Sequence, residues 1–221
     1  LLLIRLEQEN RLEELSGVVF DSSEKSVNDK TYCFWAAPKD SIVQDLRTEI
    51  KHSWSTIDSN DQHEVLAGMR YYMVESLSLY QRARAIIDNH EGLVWVKESV
   101  THVVDEDVYV EIQTESTAYQ VQRVYDSRPP QINEVIGKTI WQSFQGWKVR
   151  FEKSVFQPDT MRLMDFNIPQ NDFTQFMYVL PTSEREALVE FTRFGTQVIP
   201  EELATHQLRN YLLPYQAKYE I

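Results

Sequence analysis

The stretch from Met161 to Phe194, MRLMDFNIPQNDFTQFMYVLPTSEREALVEFTRF, decides how we expect the chain to fold. Two polar segments, Pro169-Gln-Asn-Asp and Pro181-Thr-Ser-Glu, separate three apolar runs within it. Runs of this length with β-branched and aromatic residues are typical of strands, and Pro, Asn, Asp and Ser are typical of the turns between strands. The stretch therefore predicts three consecutive strands of an antiparallel sheet.

Glu190 is the first of two carboxylates that interrupt these apolar runs. Because alternate side chains of a strand point to the same face, Glu190 is expected to share a face with Leu188, Thr192 and Phe194. A carboxylate on an apolar face loses hydration, so its pKa rises and it can hold a proton for acid catalysis at neutral pH. The structural alternative is a solvated glutamate, or one paired with a basic neighbour such as Arg193.

Asp165 is the second carboxylate of the stretch. The same alternation predicts that it shares a face with Met161 and Leu163, where burial would also raise its pKa. An ion pair with Arg162 is the structural alternative. The residues alone leave both interpretations of Asp165 open.

Several pieces of the chain, taken in order, match the pattern of one protein family. They are Asn28–Trp35 (NDKTYCFW), Tyr125–Pro130 (YDSRPP), Trp141–Trp147 (WQSFQGW), Leu163–Phe166 (LMDF), Phe176–Pro181 (FMYVLP) and Ser183–Thr192 (SEREALVEFT). Together they resemble the lycopene cyclase family of bacterial carotenoid synthesis. Lys30 and Tyr32 stand where the family usually has Arg and Trp, and each change keeps the charge or the aromatic ring.

The resemblance implies a non-redox ring closure that converts the linear ψ end group of lycopene into a β-ionone ring. It implies Glu190 as the general acid, with Asp165 assisting that acid or adjusting its pKa. Reduced FAD is the implied cofactor, whose negative charge stabilises the cation without net electron transfer, and NADPH is the implied reductant of the flavin. Since lycopene is a long apolar polyene, a cytoplasmic protein attached peripherally to the inner membrane is implied as well.

The beginning of the chain carries one candidate cofactor residue, Asp21. A predicted helix over residues 1–16, Gly17, and an apolar strand over Val18–Phe20 precede it, which is the second half of a dinucleotide-binding βαβ unit. In such units an acid about 20 residues beyond a glycine fingerprint binds a ribose hydroxyl. The chain has 6 glycines and no GxGxxG, so we expect that fingerprint at or before Leu1. The structural alternative is a turn aspartate.

Two further groups of residues have an implied role and a structural alternative. By resemblance, Asp126 and Arg128 lie near the flavin nucleotide, whereas an ordinary Asp–Arg pair in a loop is the alternative. Four aromatic residues between Thr139 and Glu152 can stabilise a carbocation or simply fill the core. They are Trp141, Phe144, Trp147 and Phe151.

The composition excludes several classes of protein. Lys and Arg total 22 against 34 Asp and Glu, a net charge of −12, which argues against a nucleic-acid-binding face. Cys33 is the single cysteine, so neither an intrachain disulfide nor a cysteine metal cluster can form. His102 and His206 are isolated in the sequence, and no spacing typical of metal ligands occurs. We therefore expect neither a metal nor a nucleic acid as a partner.

We expect an α/β fold: an incomplete flavin-binding domain of the Rossmann type together with an antiparallel substrate domain. Further predicted elements are a helix over 73–88, a strand over 93–96, a β-meander from 100 to 124 and a helix over 201–213. The predicted division is a partial dinucleotide-binding region (1–35), a mixed helix and meander part of the flavin domain (36–130), the catalytic sheet (131–199), and a helix returning toward the flavin domain (200–221).

Two rival interpretations of function remain at the level of sequence. The first is an FAD-dependent monooxygenase or prenyl reductase, which shares the flavin domain but changes the mass of the product. The second follows from the two ends, which look cut: a fragment of a lycopene cyclase that is inactive by itself.

Overall fold

The computed structural model describes residues 1–59, 62–129 and 140–221. The helices of this part are α1 (Leu2–Gln8), α2 (Ser41–Asp45), α3 (Ser76–Asp88) and α4 (Glu201–Leu212). Its strands are β1 (Gly17–Phe20), β2 (Thr31–Ala36), β3 (Ile50–Trp54), β4 (Thr56–Ser59), β5 (Gln62–Val65), β6 (Arg70–Glu75), β7 (Leu93–Val96), β8 (Val100–Asp105), β9 (Val110–Thr114), β10 (Ala118–Val121), β11 (Trp141–Phe151), β12 (Thr160–Asp165), β13 (Thr174–Pro181), β14 (Glu186–Gly195) and β15 (Tyr219–Glu220).

The chain forms two compact units that are interleaved along the sequence. The first contains Leu1–Cys33, Lys39–Lys51 and Met73–Gln131, and the second contains Phe34–Pro38, His52–Tyr72 and Ile132–Ile221. The predicted four-part division runs along the chain and stays a prediction. Three predicted features lie at least in part outside the described residues. They are the turn at 59–61, Pro130 of the YDSRPP piece and Thr139 of the aromatic segment.

The first unit contains part of a βαβ arrangement. Strands β1 and β7 are parallel, with Gly17 opposite Leu93, and α3 lies between them in sequence and packs on β7. Strands β8, β9 and β10 form an antiparallel sheet in the order β10-β9-β8, which confirms the predicted meander.

Two predicted helices of this unit are shorter than the sequence pattern suggests. The first ends at Gln8 instead of residue 16, because Asn10 adopts a φ of 54° in the left-handed region, where a helix cannot continue. The second begins at Ser76 instead of Met73, since the apolar residues Tyr72, Met73 and Val74 are buried in strand β6. Their apolar character therefore reflects a central strand and not a helix face.

The second unit contains a seven-stranded sheet in the order β15-β11-β14-β13-β12-β4-β5. Strands β12, β13 and β14 are the three strands predicted from Met161–Phe194, and they pair antiparallel as expected. Strand β11 adds to the other side of β14, with Trp141 opposite Gly195. Trp54 anchors the loop after β13, since its indole nitrogen donates to the Pro181 carbonyl at 2.7 Å.

One face of this sheet is covered by α4. The buried residues of this core are Trp147, Val149, Phe151, Met177, Val179, Ala187, Val189, Phe191, Ala204, Leu208 and Leu212. In β14 the core residues have odd numbers, so its even-numbered residues lie on the opposite face. In the described part of the chain, no helix combines the length and apolar character needed to span a membrane.

Strand β12 contains an irregularity that changes which residues share a face. Arg162 pairs with Val179 and Asp165 pairs with Met177, so both lie on the α4 side although they are three residues apart. Met164, between them, has a φ of 49°. The prediction that Asp165 shares a face with Met161 and Leu163 is therefore wrong, because a β-bulge breaks the alternation.

Candidate functional site

Glu190 lies in the middle of β14, on the sheet face opposite α4. Its cross-strand neighbours are Gly146 of β11 and Tyr178 of β13. The register also places Leu188 and Thr192 on this face, as predicted from the alternation of β14. No basic side chain in the described ranges forms an ion pair with Glu190. The pairing with Arg193 that was the structural alternative does not occur, because Arg193 lies on the other face with its guanidinium 4.3 Å from the Phe173 ring centroid.

The environment of Glu190 favours its protonated form. The side chain is half-buried, and desolvation raises the pKa of its carboxyl above the ordinary value. The Thr192 hydroxyl donates a hydrogen bond of 3.1 Å to Oε1, and this contact opposes part of the rise in the Glu190 pKa. The same carboxyl contributes to the raised pKa of Tyr178, after the burial of that phenol. Glu190 can therefore hold a proton at a pH where a solvated glutamate has lost it.

Aromatic rings cover the sheet around this carboxyl. We call Phe144, Phe166, Phe176, Tyr178 and Phe194 the aromatic face. The Phe176 ring centroid lies 5.2 Å from that of Phe166, 5.2 Å from that of Tyr178 and 6.3 Å from that of Phe194. Since ring faces attract cations, this surface can stabilise positive charge beside a proton donor.

The aromatic residues of β11 divide between the two faces of the sheet. Trp147 and Phe151 are buried against α4, which is the structural alternative for them. Trp141, opposite Gly195, lies on the same side as these two. Phe144 pairs with Thr192 on the face of Glu190 and is 64% exposed. Of the four aromatic residues singled out in the sequence, Phe144 is the one that the structure brings to Glu190.

Asp165 lies away from Glu190, on the α4 side of the sheet. Its Oδ2 accepts a hydrogen bond of 2.7 Å from the Tyr211 hydroxyl of α4, and its Oδ1 accepts one of 3.0 Å from the Asn167 backbone N–H. Arg162 is 3.5 Å from Oδ2, so the ion pair that was the structural alternative for Asp165 is present. Arg162 also pairs with Asp58 of β4 at 2.5 Å.

This charged cluster borders a cavity of about 660 Å³ between the β12–β13 connection and α4. Burial, followed by the hydrogen bond to Asp165, raises the pKa of Tyr211 well above its ordinary value. The contacts of Tyr211 with Asp165 and Arg162 fix α4 against strand β12. The structure therefore separates the two predicted catalytic carboxylates, one on each face of the sheet.

Asp21 follows β1 at the carboxyl end of the parallel pair β1–β7. Its Oδ1 accepts the Ser23 backbone N–H at 2.9 Å, and its Oδ2 lies 3.3 Å from Lys25 Nζ. The carboxylate is partly exposed, and its position is the one where dinucleotide-binding units carry the ribose-binding acid. It also forms the turn that was the structural alternative.

Asp126 and Arg128 bind each other in an exposed loop. Arg128 donates to both carboxylate oxygens of Asp126, the shortest contact being 2.8 Å, and Arg128 Nη1 donates to the Val100 carbonyl at 2.6 Å. Hydrogen bonds from the Arg128 side chain and backbone lower the Asp126 pKa to about 2. The pair therefore closes the loop onto the first strand of the meander, and a flavin contact by either residue stays a prediction.

The family model of the lycopene cyclase protein matches residues 3–219, which is nearly the whole chain. The chain belongs to the lycopene cyclase family. This confirms the resemblance drawn from the sequence motifs, several of which form the Glu190 site. No curated protein sequence matches this family member.

Solved structures show the fold of this lycopene cyclase family member. The p-nitrophenol 4-monooxygenase PnpA from Pseudomonas putida DLL-E4 is 12% identical and has a TM-score of 0.60, with 100% of this chain and 63% of that chain covered. A geranylgeranyl bacteriochlorophyll reductase-like protein from Thermoplasma acidophilum is 11% identical, with a TM-score of 0.56 over 95% of this chain and 59% of that chain.

The halogenase PltM, solved with phloroglucinol and FAD, is 12% identical with a TM-score of 0.55, over 93% of this chain and 52% of that chain. The family member therefore has the fold of these enzymes and spans between half and two thirds of their length. At these identities the likeness concerns the fold alone.

Sequence reasoning missed the residues that face Glu190 from neighbouring strands. Gly146 and Tyr178 lie in the family motifs, but their position beside Glu190 depends on the register of β11 and β13 against β14. Period-two alternation identifies neighbours within one strand and says nothing about its partners. Among the described residues, no group of three or more His, Cys, Asp or Glu can hold a metal ion.

Proposed function

We propose that this member of the lycopene cyclase family closes the linear ψ end group of lycopene into a β-ionone ring, with Glu190 as the general acid. The observation that carries the proposal is the position of Glu190. Its carboxyl has a pKa raised by burial and lies among aromatic rings without a basic partner in the described ranges. That combination provides a proton and then stabilises the cation which its transfer creates.

The proposed reaction is an isomerisation, so the product contains the same atoms and electrons as the substrate. The Glu190 proton adds to the terminal double bond of the polyene and leaves a tertiary carbocation. The neighbouring double bond attacks that cation and forms the new carbon–carbon bond, which moves the positive charge into the ring. Transfer of one ring proton to the Glu190 carboxylate then restores a double bond and the acid form of Glu190, so the product has the mass of the substrate.

Part of the aromatic face is shielded from water, since Phe176 is 2% exposed, whereas Phe144 is 64% exposed. The bound polyene would have to cover the exposed part during the reaction. Water would otherwise capture the cation as an alcohol. Asp165 enters the proposal as a residue that fixes β12 and α4 from the other face, and not as a second proton donor.

The residues of this chain fit part of a flavin dinucleotide. Asp21, at the carboxyl end of β1 in a parallel pair, fits the ribose end, and Asp126 with Arg128 are the further candidates for nucleotide contacts. A glycine-rich phosphate turn does not occur in the sequence. Reduced FAD, kept reduced by NADPH, would supply negative charge near the cation, and a peripheral position on the cytoplasmic membrane surface would give access to the polyene.

Replacement of Glu190 by Gln tests the general acid. Glu190→Gln keeps the shape of the side chain and removes the proton, so we expect at least a 100-fold loss of ring formation from lycopene with unchanged folding. The matched control is Glu186→Gln, on the same strand and face, which removes an exposed pair with Arg150 and should keep activity. Near-normal cyclisation by Glu190→Gln would remove Glu190 from the mechanism. A product heavier or lighter than lycopene would instead indicate oxidation or reduction.

A further inference from the structure

The strand next to Glu190 carries a glycine where a side chain would otherwise stand. Gly146 of β11 pairs directly with Glu190, and a Cβ at this position would lie 3.7 Å from Oε2 and 3.8 Å from the Glu190 Cβ. The carboxyl therefore leans over β11, with Oε2 above the bare backbone of Gly146. On its other side, Glu190 has the ring of Tyr178 as its neighbour.

The two oxygens of the carboxyl differ in their surroundings. Oε1 accepts the hydrogen bond from the Thr192 hydroxyl at 3.1 Å. A protonated carboxyl has one carbonyl-type oxygen, which accepts well, and one hydroxyl oxygen, which donates. A hydroxyl that donates to Oε1 therefore favours Oε1 as the carbonyl-type oxygen and leaves the proton on Oε2.

Solvent-exposed surface lies beside the oxygen that this arrangement protonates, since Gly146 and Phe144 are both exposed. Phe144 of β11 lies two residues before Gly146, on the same strand face. It is 64% exposed, and it continues the aromatic face onto β11. Leu188 borders the other side, since its Cδ1 would lie 3.3 Å from a Cβ at position 146. An apolar group can thus approach Oε2 between Phe144 and Leu188 with only the Gly146 backbone beneath it.

We propose that the reacting end group of the polyene is seated over Gly146, that Oε2 of Glu190 delivers the proton, and that Thr192 is a positioning residue that holds the proton on this oxygen. This inference rests on the proposed function, because it specifies which atom of Glu190 reacts and where the substrate lies. Gly146 determines whether the substrate can reach Oε2, while Thr192 acts only through its hydrogen bond to Glu190.

Substitution of Gly146 tests whether the end group of the polyene binds over this glycine, a position that we call the seat. Gly146→Ala places a methyl group beside Oε2, and we expect cyclisation by the full chain to fall about 100-fold, the loss typical of a reacting group displaced by about 1 Å. Gly195→Ala is the control, since it adds a methyl group to the same sheet, 3.5 Å from the Phe173 ring, and should keep activity. Because the added methyl group would lie 3.3 Å from Leu188 Cδ1, the folded fraction of Gly146→Ala is measured by urea unfolding, and the loss of cyclisation should persist after activity is corrected for that fraction.

Substitution of Thr192 tests the proton position without requiring turnover. In infrared spectra of the chain, the C=O stretch of the protonated Glu190 carboxyl is identified as the band that Glu190→Gln removes. We expect Thr192→Val to move this band to higher frequency, because the carbonyl oxygen loses its hydrogen bond, and Thr192→Ser to keep it near the wild-type position. Cyclisation should fall about tenfold in the Val variant and recover in the Ser variant.

The outcomes separate this inference from the proposed function. If Glu190→Gln is inactive while Gly146→Ala and Thr192→Val retain wild-type turnover and the carboxyl band does not move, the seat and proton position are wrong and Glu190 remains the acid. If Glu190→Gln stays active, the proposed function fails first. Loss of activity in Gly146→Ala that disappears when activity is corrected for the folded fraction would also overturn the seat, since it would show a packing defect.

Discussion

At the scale of single residues, the two carboxylates of Met161–Phe194 have different surroundings, since Glu190 has Tyr178 as its cross-strand neighbour and Asp165 contacts Tyr211 and Arg162. Alternation along β14 predicted the side chains that share a face with Glu190, because the strand is regular there. The same rule failed for Asp165, since Met164 has a positive φ that is uncommon for methionine and carries no mark in the sequence. Asp165 thereby reaches Tyr211 on the opposite face of the sheet.

The raised pKa of Glu190 predicts a pH dependence with a definite sign. An acid whose pKa is higher in the folded state favours folding while it is protonated, and this contribution is lost as pH rises from its ordinary pKa through the raised one. We expect wild-type stability, relative to Glu190→Gln, to decline by about 1.4 kcal/mol for each pH unit that separates the unfolded-state pKa from the folded-state pKa. Urea unfolding of both proteins at a series of pH values measures the difference, and a pH-independent difference would contradict the burial of the carboxyl.

At the scale of elements, the three strands of Met161–Phe194 were predictable because each apolar run ends in a turn segment. Their assembly with β11 and β4 was not, since long-range pairing and register depend on contacts between distant parts of the chain. The position of α4 shows the same limit. Its residues predicted a helix, but the hydrogen bond from Tyr211 to Asp165 appears only in the assembled sheet.

This hydrogen bond gives a prediction about how α4 is held. Tyr211→Phe leaves the buried Asp165 without its hydroxyl donor, so we expect a loss of about 1–3 kcal/mol in the free energy of unfolding. Tyr215→Phe is the matched control, because no described residue accepts or donates a hydrogen bond at its hydroxyl, and its loss should be small. Equal stabilities of the two variants in urea titrations would show that the contact contributes nothing.

Arg82 of α3 connects the helices of the first unit through three contacts. Its guanidinium binds Glu7 at 3.0 Å, the buried Glu49 at 2.9 Å and the Asp45 carbonyl at 2.7 Å. Arg82→Met leaves Glu49 buried without its partner, and we expect a loss of about 3 kcal/mol. Arg84→Met on the same helix breaks an exposed pair with Asp88, and thermal melts should show less than about 0.5 kcal/mol for that control.

At the scale of the whole molecule, the family resemblance predicted the fold class better than the residue patterns did. The chain shares the fold of PnpA and PltM, which sequence periodicity could not distinguish from other mixed folds. The interleaving of the two units could not be predicted from the sequence, because three of the crossings fall inside strands β2, β3 and β6 and not in a linker of altered composition.

Asp21, at the carboxyl end of β1, is the candidate residue for binding the ribose of a flavin dinucleotide. Asp21→Ala should weaken flavin binding by about tenfold if the carboxylate binds a ribose hydroxyl, since one charge-assisted hydrogen bond is lost. Fluorescence titration of FAD into the full-length protein measures the affinity. Asp107→Ala, at an exposed turn of the meander, is the control. Identical affinities for the two variants would discard the ribose assignment.

The order of the sheet and α4 along the chain has a consequence during translation. Trp147, Val149 and Phe191 leave the ribosome before the helix that covers them, so a growing chain presents a bare apolar sheet until α4 has also emerged. Chaperones that bind nascent chains recognise such surfaces. Ribosome-bound chains in which β14 has left the exit tunnel and α4 has not should therefore recruit more chaperone than chains in which α4 has also emerged.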